Sequence, residues 1–269
     1  MGFVVLILIG LITGVVGALL GLGGSIILIP ALNQVFGAHQ HLHQACAMIL
    51  NFVVVTAAVY GHRKAGVLRY DILKSTIPAA ICGVIVGVEL SEMRLFEGEQ
   101  QRFLTALFGV FLLCAAGFNL KRVVRPSAAI GDEAPSPAAV PFWKAILFVG
   151  APTGLLSGLL GVGGGIIAVP AQQIFLRVGL RQAIGNSAAT ICGLSLVGAF
   201  AKNYHWWASH DGDPFAPLMI ALFVVPGAVL GGLIGSRLTH LLPARWIGGS
   251  LAGVLVIAGV RQMSYWLAS

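Results

Sequence analysis

Charge is scarce in this sequence. Only 9% of its 269 residues are Asp, Glu, Lys or Arg, against 58% hydrophobic residues, and the mean hydropathy is +0.94. A soluble core has no use for so much apolar surface, which excludes an ordinary globular domain. Cysteine is scarce too: Cys46, Cys82, Cys114 and Cys192 lie inside apolar segments without a Cys-x-x-Cys spacing, so they read as inert buried thiols. The glycine-rich stretches lack the Lys-Ser/Thr ending of a phosphate-binding loop, and nothing points to a nucleotide-driven motor. No His-Glu-x-x-His, nucleophile elbow or pair of carboxylates within an apolar run occurs. An enzyme is therefore not expected, nor is any cofactor. Glu89 and Lys202 both fall near segment ends, so no proton-coupling site is evident.

What is present is a series of apolar stretches long enough to cross about 30 Å of hydrocarbon. Barrel strands would be about ten residues long and alternate polar with apolar, so these segments imply an all-α integral membrane protein. Spans are expected at residues 45–60, 72–90, 103–120, 184–201, 217–234 and 246–260. The net charge of +7 comes from short basic clusters between spans, where topology signals sit, rather than from a nucleic-acid-binding face. The expected partners are the lipid bilayer and a small anionic substrate, with no nucleic acid; a homodimer is left open.

A shift of 140 positions lays residues 10–31 over 150–171. Thr13 and Gly14 meet Thr153 and Gly154, Gly23-Gly24 meets Gly163-Gly164, Ile26-Ile27 meets Ile166-Ile167, and Pro30 meets Pro170. The chain thus reads as a first membrane repeat (1–120), a cytoplasmic linker rich in Pro, Ala and Ser (121–141), and a second membrane repeat (142–269). Each repeat opens with an apolar segment, 3–36 or 142–176, too long for one straight span and too short for two. A helix broken at its glycines fits, with three further transmembrane helices behind it. If each broken segment turns back, more of the 16 basic residues fall on the cytoplasmic side than if it crosses. The returning arrangement makes the two repeats inverted, as in many secondary transporters.

At Gly21, Gly23, Gly24 and Ser25, and at Gly161, Gly163, Gly164 and Gly165, such a break frees backbone amides, which in hydrocarbon must meet protein, water or substrate. Helices beginning at Ser25 and Gly165 would present positive ends toward the protein centre and favour an anion. Close helix packing is the alternative use of such glycines. Further candidate substrate contacts are Asn186, Ser187 and Thr190 in the span after the second break, Asn51 after the first, and Asn33 and Gln173, which correspond across the repeat. His39, His41 and His43 invite a metal reading, but no carboxylate lies near them in sequence and a polar loop accounts for them. Lys202, His205, Trp206 and Trp207 read as an interfacial belt, with the lysine snorkelling to the headgroups.

The segments GVVGALLGLGGSIILIPAL and GLLSGLLGVGGGIIAVPAQQIF, with the basic loop YGHRKAGVLRYD and RQAIGNSAAT, resemble the TauE/SafE family of sulfite and organosulfonate exporters. The resemblance covers nearly the whole chain. It implies export of sulfite, sulfoacetate or a related anion across a bacterial cytoplasmic (inner) membrane. Asn186 stands where the family usually has Thr, and Met48 and Ile49 where it tends to have Thr-Ser, so part of the expected polar lining is missing from the first repeat. The alternatives are an anion channel, a non-transporting anchor or sensor subunit, and a metal-ion permease.

Overall fold

The computed structural model describes residues 2–37, 39–93, 101–124, 140–209, 213–242 and 244–268, and every regular element among them is helical. The first half contains α1 (Gly2–Leu20), α2 (Ser25–Phe36), α3 (Gln40–Lys64), α4 (Tyr70–Ser91) and α5 (Gln101–Val124). The second contains α6 (Phe142–Ala145), a π-helical turn (Ile146–Gly150), α7 (Ala151–Leu160), α8 (Gly165–Phe175), α9 (Leu180–Ser209), α10 (Ala216–Leu241) and α11 (Ala244–Ala268). The π turn ends two residues before Pro152, whose ring has no N–H and crowds the carbonyl one turn back.

Five helical stretches are long and apolar enough to cross a membrane: Gln40–Lys64, Tyr70–Ser91, Phe142–Leu160, Leu180–Ala208 and Ala216–Leu241. Every expected span is found as a helix, and each runs past its expected apolar limits. α5 also continues through Val124, so the first residues of the expected linker are helical; residues 125–139 lie outside the described residues.

Both glycine breaks stand where the repeat puts them. Gly21 and Gly161 adopt positive φ (64° and 72°), a conformation that glycine takes without a Cβ penalty and that ends a helix. The Gly161 N–H caps the end of α7 by donating to the Ser157 carbonyl at 2.8 Å. The next helices start at Ser25 and Gly165. At 12 and 11 residues they are about 18 and 16 Å long, roughly half the hydrocarbon thickness.

Helix packing exchanges partners between the halves. α1 lies along α10, and α7 along α4, backbone against backbone. A Cβ on Gly14 would sit 2.3 Å from the Ala228 carbonyl oxygen, and one on its repeat mate Gly154 would sit 2.1 Å from that of Ala80. α1 and α10 run parallel, since Ile7, Leu11 and Val15 meet Gly227, Gly231 and Gly235 in turn. α3 and α9 pack antiparallel at the centre. Asn203 Nδ2 reaches the Ala45 carbonyl at 3.4 Å, Thr56 Oγ1 meets Cys192 Sγ at 3.3 Å, and Gly185 lies against His62. α2 runs back along α3, its start at Asn51 and its end, at Asn33, beside His43.

Candidate functional site

The two breaks meet each other at the middle of the bundle. A Cβ on Gly165 would lie 2.2 Å from the Gly21 carbonyl oxygen and 2.3 Å from Leu22 Cα, so the second helix start is pressed against the first break. Asn51, near the midpoint of α3, sits between them. Its Oδ1 accepts the Gly24 N–H at 2.7 Å and the Ser25 N–H at 3.0 Å, capping α2. Its Nδ2 lies 2.8 Å from where a Gly163 Cβ would stand. The Ser187 hydroxyl donates to the Gly21 carbonyl at 2.8 Å, tying α9 to the first break.

Around this junction buried polar atoms stand without partners: Thr13 Oγ1, Ser25 Oγ, Asn51 Nδ2, Thr153 Oγ1 and Ser157 Oγ. All five residues are fully buried. An unsatisfied buried polar group costs about 1–3 kcal/mol, and when several converge, a missing ligand or water is the usual explanation. Every one of these groups can donate a hydrogen bond; Gln44 Oε1, an acceptor on a side chain packed against Gly161, is unpartnered as well. Thr13 and Thr153 are repeat mates in the same setting: their methyls lie 2.5 Å from the Cβ positions of Gly24 and Gly164. The breaks differ in their caps. Among the described residues no side chain accepts the Gly164 and Gly165 amides as Asn51 accepts those of Gly24 and Ser25, and the Asn51 position corresponds to Ile191 in the second repeat.

Residues 6–262 match the family described as sulfite exporter TauE/SafE. The chain belongs to that family. It is 27% identical over 285 residues to the probable membrane transporter protein MamO of Magnetospirillum gryphiswaldense, covering 96% of this chain and 44% of that one. A MamO of Paramagnetospirillum magneticum is 29% identical with the same coverage. The chain thus spans less than half the length of these two relatives. The probable membrane transporter protein YunE of Bacillus subtilis is 27% identical over 97% of both chains. These descriptions are of membrane transporters, not enzymes, and the five helices of spanning length agree with a multi-pass membrane protein. No solved structure matches.

The junction takes in only part of the residue set that the sequence suggests. Gly21, Gly23, Gly24, Ser25, Asn51, Gly161, Gly163, Gly164, Gly165 and Ser187 come together at the junction. Asn186 and Thr190 are engaged elsewhere: Asn186 accepts the Arg69 N–H at 2.8 Å and donates to Gln172 Oε1 at 3.1 Å, and Thr190 meets Thr76 at 3.2 Å. Asn33 bonds Gln262 at 3.2 Å and His43 at 2.5 Å in a separate buried network. Gln173 is buried in α8 beyond Pro170. The expectation of two exposed helix starts also needs correction, because Asn51 occupies the amides of the first. Thr13, Thr153, Ser157 and Gln44, whose Nε2 donates to the Leu159 carbonyl at 3.3 Å, are neighbours that the sequence reading passed over. For the threonines a signal existed: they are hydroxyls at matching positions of an otherwise apolar repeat.

Lys202 does not snorkel. It is 1% exposed and its ammonium donates to Ser91 Oγ and to Glu92 Oε1, the latter at 2.7 Å. His41 Nδ1 stands 3.2 Å from the same carboxylate oxygen. His41 and His43 thus face different partners, Glu92 and Asn33, rather than converging as a metal-ion permease would need. Burial pushes the Glu92 carboxyl up, but the His41 hydrogen bond and the Lys202 charge outweigh this and hold it at about 2. Its stabilising contribution is therefore complete above its ordinary value of 4.5 and lost as pH falls toward 2. Glu92→Gln leaves the Lys202 charge buried and should destabilise the protein by about 3–5 kcal/mol, whereas Glu92→Gln with Lys202→Met should cost much less. Thermal melts in detergent give both values; equal loss in the single and double variants would deny the pairing its importance.

Proposed function

We propose that this chain is a secondary transporter that exports a small anion, sulfite or an organosulfonate such as sulfoacetate, across the bacterial cytoplasmic membrane. The observation that carries this reading is the set of unpaired buried donors where the two breaks meet. Thr13, Ser25, Asn51, Thr153 and Ser157, with the Gly164 and Gly165 amides, offer hydrogen bonds and the positive end of α8, and no carboxylate stands among them. Neutral dipoles replace an anion's hydration shell without holding it too tightly to leave.

The proposed architecture is two inverted repeats, 1–120 and 142–269, joined by a cytoplasmic linker. The antiparallel packing of the repeat mates α3 and α9 supports the inversion. The opposed directions of α1 and α2 support a broken segment that returns to its own side. Two inverted halves around one shared site suit alternating access.

The test is sulfite counterflow in liposomes containing only the purified protein. A transporter exchanges labelled for unlabelled anion and accumulates it against a gradient; a channel gives neither, and an anchor gives no flux. Within this assay Thr153→Val and Thr13→Val should each weaken apparent affinity by about tenfold, a lost hydrogen bond to a charged ligand. Because each replaces an unsatisfied hydroxyl by a methyl, the melting temperature should hold or rise. Unchanged affinity in both variants would remove the threonines from the site.

A further inference from the structure

One unpartnered acceptor stands with the donors of the junction. Gln44, in the first turns of α3, is fully buried, and its Cγ lies 2.7 Å from where a Gly161 Cβ would stand. A carbonyl oxygen can only accept, so the Leu159 carbonyl fixes which way round the amide sits: Nε2 donates to it at 3.3 Å. The remaining atom, Oε1, is an acceptor with no partner. Gln44 precedes Asn51 by about two helical turns and so shares its face of α3. Gln44 reaches Gly161 and Asn51 reaches Gly163, so the two side-chain amides flank one short stretch of the second break.

The first break has no such group. Ile184, which corresponds to Gln44 across the repeat, packs there instead, its Cγ2 2.9 Å from the Cβ position of Gly21. The Leu19 carbonyl, the mate of Leu159, accepts from the Thr239 hydroxyl at 2.9 Å. One donor is all that either carbonyl needs. The amide at the second break therefore brings an acceptor that capping leaves unused.

We propose that the junction takes its oxyanion as a monoanion that keeps one hydroxyl hydrogen, and that this hydroxyl donates to Gln44 Oε1. In the sulfite reading the substrate is then hydrogensulfite, in preference to the sulfite dianion or a sulfonate. The inference rests on the proposed anion site and deepens it. Thr13, Ser25, Asn51, Thr153 and Ser157 can donate to the bare oxygens of such an anion. The serine and threonine hydroxyls rotate to suit either role, whereas an amide oxygen only accepts. A sulfonate group or a fully ionised oxyanion sets lone pairs against it and leaves a buried oxygen unsatisfied. A hydroxyl hydrogen turns the same contact into a hydrogen bond. A single charge also suits a site whose side chains are neutral, because a dianion gives up far more hydration on burial. The proton then travels on the substrate, and its passage requires no ionisable side chain within the spans.

Methylphosphonate and methanesulfonate test this, since they share shape and, on the acid side of the phosphonate's second ionisation, a single charge. Only methylphosphonate then carries a hydroxyl. Melting curves of the full chain in detergent at rising concentrations of each give apparent dissociation constants. Methylphosphonate should bind about tenfold more tightly, one hydrogen bond to a buried acceptor. Raising the pH through its second ionisation should remove that advantage while methanesulfonate binds as before, a comparison that needs no variant. In Gln44→Met the two constants should come together, with membrane levels and elution profiles confirming the fold. Equal binding of the two anions by the parent protein, or an advantage that persists in Gln44→Met, overturns the proposal and leaves the anion site standing. If neither anion raises the melting temperature, the anion site falls and this inference with it.

Discussion

Asn51→Asp is expected to reduce anion flux by at least about a hundredfold and to lower stability, because the side chain is fully buried and the new charge has no counter-ion beside it. The substitution changes little in shape. One carboxylate oxygen keeps the position of Oδ1 and continues to accept from Gly24 and Ser25. The dipole of α2 offsets about 0.3–2 kcal/mol of the cost of burying that charge. The other oxygen replaces the unpartnered Nδ2 and turns a donor facing Gly163 into a charge facing the substrate. Two like charges about 4 Å apart repel by about 4 kcal/mol at the effective dielectric of a partly screened site, more than the hundredfold stated. Sulfite efflux from liposomes and a thermal melt measure the two effects. Asn51→Ala is the contrast: it removes the cap as well, and should lower stability by about 1 kcal/mol. Wild-type flux in Asn51→Asp would sink the anion site.

Gly165→Ala should abolish transport by a steric route. Its methyl would stand 2.2 Å from the Gly21 carbonyl oxygen and 2.3 Å from Leu22 Cα, closer than real Cβ contacts permit. Both obstacles are backbone, so no side chain can swing away; the two breaks must separate. Overpacking of this kind costs about 1–3 kcal/mol or more, and here it falls on the junction that holds the unpaired donors. Gly24→Leu and Gly164→Leu act on the same junction, against the Thr13 and Thr153 methyls, and Gly164 adds the strain of a side chain at φ 78°. Gly249→Ala is the control, since nothing lies within 4 Å of its added methyl. Full flux in Gly165→Ala with normal membrane levels would separate the junction from transport.

Much of the architecture could be read from the chain. Residues 10–31 and 150–171 predict two broken helices, and helices restart at Ser25 and Gly165 as the glycines imply. The boundaries were less legible: α3 runs from Gln40 to Lys64, beyond the apolar 45–60, because its polar ends are held by neighbours rather than by lipid. His43 and Asn33 pair at one end and His62 and His240 at the other. Lys202 was misplaced for the same reason. A lysine near a span end snorkels when water is its best partner, but here Glu92 and Ser91 reach it first. Of the polar residues suggested for the site, Asn51 and Ser187 reach the junction, while Asn186, Thr190 and Asn33 are engaged by Arg69, Thr76 and Gln262.

By itself the sequence determined the membrane class, the repeat and the two glycine breaks. Hydropathy and backbone freedom are local properties, and the bilayer turns them directly into helices and interruptions. Tertiary structure alone decided which donors are unpaired, that Asn51 caps one break and leaves the other open, and that Lys202 is held by Glu92 and Ser91 rather than by water. The physical reason is that spans in lipid are apolar on nearly every face, so periodicity does not announce which side meets which neighbour. A polar side chain there is defined by the partner that arrives from a distant part of the chain.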